Sequence, residues 1–303
     1  METADMMDIG AMLTEVNKRI FAGVPFAEAE QRDICAALLR ARSDAATVRR
    51  YHRAVHAPTD GRRLYPLFFI PPYNGGKKIR LITGQLPKTQ LLSANHYELE
   101  ILRLLALWDG ENPEVADMLT QTVKRLDSTC FAHFCPTGEC VGAGVAALRF
   151  LSVLGEKYAV GAAWIKELLD GLIAQYNGGH AGMAATNNGV PVFYLYAALP
   201  QVGRALPEIT HMLPEVGRAL PDATHAAGDI CRTLLEERQE WLVHMLTRGS
   251  VTGPAIQDTY NVTLLYILRN ALALLPGYAF MRDRPVVISE KDNRCSCSCD
   301  LLA

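Results

Sequence analysis

The chain has 303 residues, with 30 lysines and arginines against 32 aspartates and glutamates and a hydrophobic fraction of 50%. That length can bury a core in one large or two modest domains, and the composition is that of an ordered globular protein. A net charge of −2 supplies no global field, so neither nucleic acid nor an anionic membrane is expected as a partner. No apolar run approaches the ~18–20 residues that span a bilayer. The acidic start METADMMDIGAM has neither the basic nor the apolar region of a secretory signal, so the expected location is the cytoplasm.

In chain order, residues 26–57 place Ala29, Cys35, Leu38, Leu39, Val48 and Tyr51 among charged residues at helical intervals. Leu64–Ile70 and Lys77–Ile82 then flank Pro-Pro-Tyr-Asn-Gly-Gly. Asn74-Gly75 suits positive φ, so this pattern predicts an accessory β-hairpin over 64–82, packed on the helices. From 93 to 108, Leu99, Ile101, Leu102, Leu104, Leu105 and Leu107 make a helix apolar over most of its circumference, which predicts a central, buried element. Asn112-Pro113-Glu114 reads as a helix start: an amide cap, proline in the first turn, and an acid at the positive dipole end. Further helices are expected near 139–154, 159–176, 183–198, 227–248 and 255–275.

The expected fold is therefore all-α, with about nine helices in antiparallel pairs. Four parts are anticipated: an N-terminal helical segment (1–58), the hairpin and its connector (59–90), a main helical domain (91–281), and an exposed Cys-rich tail (282–303). Within the main domain, residues 199–226 form a repeat with a period of 14, LPQVGRALPEITHM followed by LPEVGRALPDATHA. Interior prolines cost about 3 kcal/mol each, so a continuous helix is not expected here. Short Pro-initiated turns fit better.

The eight cysteines are distributed unevenly. Cys35 and Cys231 stand alone, as buried small apolar residues do. Cys130, His133, Cys135 and Cys140 lie within one eleven-residue stretch, with Pro136 and Gly138 turning the chain between them. Three thiols and an imidazole in a short loop match the donor preferences of zinc. The same thiols could seat an iron–sulfur cluster if a fourth thiolate were supplied. Two other readings remain open: a reactive thiol at Cys140, with Glu139 as proton carrier, or simple packing among Phe131 and Phe134.

The second triplet, Cys295, Cys297 and Cys299, would share one face of an extended chain. It would suit soft-metal capture, disulfide exchange or covalent modification, or serve as a free tail without a special role. It could also dock back on the body or recruit a protein partner.

Two further loci complete the candidates. His180, in Gly178-Gly179-His180-Ala181-Gly182, sits where close backbone approach is easy, as at the edge of an active site or in a helix cap. Arg49, Arg50 and Arg53 form a basic neighbourhood able to bind an anion, or simply a solvated helix face. Phosphate-binding, dinucleotide-binding, zinc-protease and serine-hydrolase motifs are absent from the sequence.

The glycine-rich stretches from Gly138 and Gly179, each at the edge of an expected helix, resemble loops of α/α-toroid enzymes such as lanthionine cyclases. In that group zinc is held by two cysteines and a histidine. The resemblance covers two short loops; the Gly-His order and the chain length depart from the family's pattern. It implies a helical barrel with a central metal and no more. The leading expectation is a zinc-thiolate enzyme acting on a small-molecule or peptide ligand. Cys130, His133, Cys135 and Cys140 would bind metal, and Glu139 or His180 would move protons. The alternatives are a carrier protein using the C-terminal thiols and a dithiol redox protein.

Overall fold

The computed structural model describes residues 8–55, 64–72, 78–129, 141–178, 191–205, 225–248, 258–284, 286–289 and 294–297. The described chain is mostly helical. The helices are α1 (Ile9–Ala22), α2 (Glu28–Arg40), α3 (Ala45–Ala54), α4 (Gln90–Trp108), α5 (Pro113–Asp127), α6 (Val141–Leu151), α7 (Ala162–Gly178), α8 (Val192–Ala205), α9 (His225–Arg248) and α10 (Asp258–Leu272). Short 3-10 helices cover Glu156–Tyr158 and Pro276–Asp283.

Local chemistry sets the element ends. Asp8, Asp44, Thr89 and Asn112 cap α1, α3, α4 and α5 through side-chain oxygens that accept a first-turn N–H. The cap at Asp44 divides the helical run 26–57 into α2 and α3. Gly23, at φ 77°, closes α1 in the left-handed conformation that glycine adopts without a steric penalty. The proline reading of the repeat needs correction at its start, because α8 continues through Pro200 to Ala205. Buried Tyr194, Leu195, Tyr196, Leu199 and Val202 on either side supply the packing that offsets the missing backbone hydrogen bond. The rest of the repeat, 206–224, lies outside the described residues.

As its apolar circumference predicts, α4 is central. Helices α2 and α5 pack against it. It also belongs to a closed cycle of contacts: α1 meets α4, α4 meets α6, α6 meets α8, α8 meets α10, and α10 returns to α1. Helix α7 lies on α6, and α9 on α7 and α10. The approach of α6 to α7 depends on Gly144, where a Cβ would come within 3.0 Å of Leu172 Cδ2. One core of Leu, Ile, Val, Phe and Met side chains runs through these helices.

The expected hairpin over 64–82 does not form: the described residues 64–72 and 78–82 contain no strand. Side chains of α4 and its neighbours take the backbone groups that a ladder would have used. Glu98 accepts from the N–H groups of Leu67, Phe68 and Phe69. Ser43 Oγ accepts from Ile70 N–H, Ser93 Oγ from Ile79 N–H, and His96 Nε2 from Ile82 N–H. Asn95 donates to Leu64 O. With these N–H groups satisfied, the described parts of the segment lie along α4, the first of them (64–72) as a strap.

Two strands do occur further along, within the stretch read from sequence as a tail. β1 (Val286–Ser289) and β2 (Arg294–Cys297) pair antiparallel, with Val286 opposite Cys297 and Ile288 opposite Cys295. Both strands lie against α10, and β2 also against α9.

Candidate functional site

The candidates read from sequence fall mostly beyond what the structure describes. Cys130, His133, Cys135, Glu139, Cys140, His180 and Cys299 lie outside the described residues. Cys295 and Cys297 belong to β2, in register with Ile288 and Val286 of β1. Arg49, Arg50 and Arg53 are exposed on α3. Among the described residues, no group of three His, Cys, Asp or Glu side chains could hold a metal ion. Cys35 is buried, and desolvation followed by the charge of Asp109 pushes its thiol up to about 11. That makes it inert.

The described residues instead converge on a charged centre in the helical core. Glu100 of α4 accepts from Arg103 Nε at 2.8 Å, Arg149 Nε of α6 at 2.7 Å and the Tyr194 hydroxyl of α8 at 2.7 Å. Asn17 of α1 presents its Oδ1 to both guanidinium groups, at 2.6 Å from Arg103 and 3.0 Å from Arg149. Arg149 also donates to Ala197 O, and Gln201 donates to Arg149 O. Four members of the contact cycle are thereby tied through one carboxylate and one amide. Both arginines and Glu100 are 1% exposed.

Burial alone would raise the Glu100 carboxyl, but Arg103 and then Arg149 outweigh it and hold the group well below the usual carboxylate range. Burial and the adjacent Glu100 charge move the Tyr194 hydroxyl the other way, far above its ordinary value. It stays neutral and donates. His96, one turn before Glu100, faces the Tyr194 ring at 5.2 Å between centroids. Desolvation lowers the His96 pKa to about 4 against the pull of Glu100, so the imidazole is neutral at pH 7. Its Nε2 accepts the Ile82 N–H, which leaves the proton on Nδ1.

Glu98 occupies a different setting, two residues before Glu100. Its Oε2 accepts from Leu67, Phe68 and Phe69 at 2.8, 2.6 and 2.9 Å, and its Oε1 shares the Leu67 N–H at 2.8 Å. Desolvation outweighs those N–H groups and lifts its pKa to about 7.

Sequence reading missed this set, although a signal was present. His96, Glu98, Glu100 and Arg103 interrupt a helix expected to be buried on nearly every side, and Arg149 is the one charge in VGAGVAALRFL. A charge inside a buried helix demands a partner. In chemical terms the centre is buried and its charged groups are engaged with one another, so it ties the helices together. No family model, curated protein or solved structure matches the chain.

Proposed function

We propose that the protein is a zinc-thiolate enzyme acting on a small-molecule or peptide ligand. Its metal loop would be Cys130, His133, Cys135 and Cys140, with Glu139 or His180 as proton carrier. The observation in its favour is the placement of helix ends. Helix α6 begins at Val141, the residue after Cys140. Its first turn lies against the second half of α7, with Gly144 beside Leu172. Helix α7 ends at Gly178, two residues before His180. From Leu172 to Gly178 is about 9 Å of helix, and the described helix ends that precede His180 and follow Cys140 belong to two neighbouring helices, which supports the reading.

The donor set also fits the metal: thiolate and imidazole are zinc's preferred ligands, and a loop of this length can close a tetrahedron. Four protein ligands would make a closed structural site, and three would leave a position for water or a substrate thiol. The closed cycle of α1, α4, α6, α8 and α10, with the remaining long helices packed around it, favours a toroid-like body over a simple bundle. No described helix is long and apolar enough to cross a membrane, which is compatible with the expected cytoplasmic location.

Elemental analysis tests the proposal. We expect about one zinc per chain, lost in Cys135→Ser and retained after removal of residues 294–303. Metal lost only on truncation would replace the enzyme reading with the carrier reading, in which Cys295, Cys297 and Cys299 hold a soft metal. Absence of metal from the full chain overturns both. Thiol reactivity that disappears on oxidation and returns with reductant would then favour the dithiol redox reading.

A further inference from the structure

We propose that the chain associates with itself head to tail, the basic face of α3 in one copy seated on the acidic face of α9 in the next. Helix α3 is lightly attached to its own body. Tyr51 is its one buried side chain, and it packs with Tyr65 and Ala94 in a small cluster apart from the main core. Arg49, Arg50 and Arg53 are exposed and lie within about 100° of the helix circumference.

These arginines differ from the other surface cations in having no counterion. Lys18 pairs with Glu15, Arg32 with Glu28 and Lys166 with Asp170, each within one helix, and Arg42 pairs with Glu114 across two. Helix α3 contains no acidic residue, and among the described residues none of its arginines forms an ion pair. Asp44 at its start is committed to the cap, accepting from the Thr47 N–H and hydroxyl. His52 is held by Pro66 O. Like charges at these spacings repel one another, and an acidic partner would remove that cost.

The complementary face is on the chain itself. Glu236, Glu237 and Glu240 are exposed on α9 and repeat the spacing of the three arginines, each set spanning about 6 Å of helix. Glu236 is already engaged, which leaves Glu237 and Glu240 to meet Arg50 and Arg53 at the same three-residue interval. Each face also has an exposed apolar neighbour. Phe280 stacks on Tyr278, whose hydroxyl accepts from Gln239 of α9. Leu86 is exposed just before α4, whose Leu91 packs on the Tyr51 cluster.

Other partners fit less well. The only tyrosine of α3 is buried, so the helix has no surface on which nucleic-acid bases could stack. None of the exposed large apolar side chains lies on α3 to enter a bilayer. A net charge of −2 sets little general repulsion between copies. Because the two faces differ, the contact is heterologous, and each added copy offers a free face to the next.

Sedimentation equilibrium of the full chain at pH 7 tests this. We expect association in ~10 mM salt that weakens at least ~10-fold in ~1 M salt, since exposed ion pairs are screened. Arg50→Glu with Arg53→Glu should lose self-association to the same extent, as should Glu237→Lys with Glu240→Lys. An equimolar mixture of the two variants should recover it, because each brings the native face that the other lacks. If one variant fails to fold, the other decides with the native chain, which it should bind although it no longer binds itself. A native chain that stays monomeric in low salt overturns the proposal, as does a variant that self-associates normally or a mixture without recovery. Binding of a poly-glutamate probe to a monomeric native chain would reassign the α3 face to an acidic partner.

Discussion

Glu98 and Glu100 stand two residues apart on α4, are both almost inaccessible, and meet opposite electrostatic fates. Glu100 faces the helices of the contact cycle and finds two guanidinium groups and a tyrosine hydroxyl. Glu98 faces the strap and finds only backbone N–H groups. The first carboxyl is held far below its ordinary range and the second is raised to about 7. Burial raises both, so burial alone cannot account for the difference between them. The partners do, because a guanidinium supplies a full opposite charge at hydrogen-bond distance and an amide supplies only a dipole.

Breaking the Glu100 side should have the largest effect. Glu100→Gln leaves Arg103 and Arg149 buried without their carboxylate, and we expect a loss of about 3–5 kcal/mol in urea denaturation at pH 7. A loss below about 1 kcal/mol would mean that the network is not the interior charge centre described above. The sensitivity of stability to pH separates the two sides further. Because the folded pKa of Glu98 is raised, its stabilising share is complete below pH 4.5 and disappears as pH rises through about 7. Relative to Glu98→Gln, the native chain should therefore lose up to about 3 kcal/mol over that interval.

His96 acts in the opposite direction. Its folded pKa is depressed to about 4, so its share is complete above pH 6.5 and lost as pH falls toward 4. His96→Gln retains an acceptor for Ile82 and should show a shallower acid limb in denaturation series between those pH values. The smallest effect is expected away from α4: Asn112→Ala removes the α5 cap and should cost about 1 kcal/mol with no pH dependence in the same range. A comparable loss in the Glu100 variant would erase the distinction between an ordinary local contact and the core network.

Some of this organisation was legible locally. The Asn112-Pro113-Glu114 start appears as read, with Asn112 Oδ1 accepting from Glu114 N–H at 3.0 Å, because capping involves residues next to one another. The burial of α4 followed from an apolar pattern that leaves almost no polar face. The hairpin over 64–82 was misread for an equally physical reason. Alternation and an Asn-Gly turn describe a segment able to pair with itself, whereas Glu98, Ser93 and His96 offered its N–H groups closer partners from another element. Nor could the core centre be assembled from sequence, since Tyr194 and Glu100 are 94 positions apart and Asn17 and Arg103 are 86 apart.

The sequence by itself determined that this chain is helical, where α4 and α5 lie, and which segments hold the thiols on which the zinc proposal rests. Those properties follow from periodicity, capping and composition, which act over a few residues. Only the tertiary structure decided that two glutamates on one helix would differ in charge, that 64–72 would be a strap rather than a strand, and that Arg149 would complete a centre built from four helices. A charge's state depends on the solvent and counterions left to it after packing, and packing brings together residues that the sequence keeps far apart.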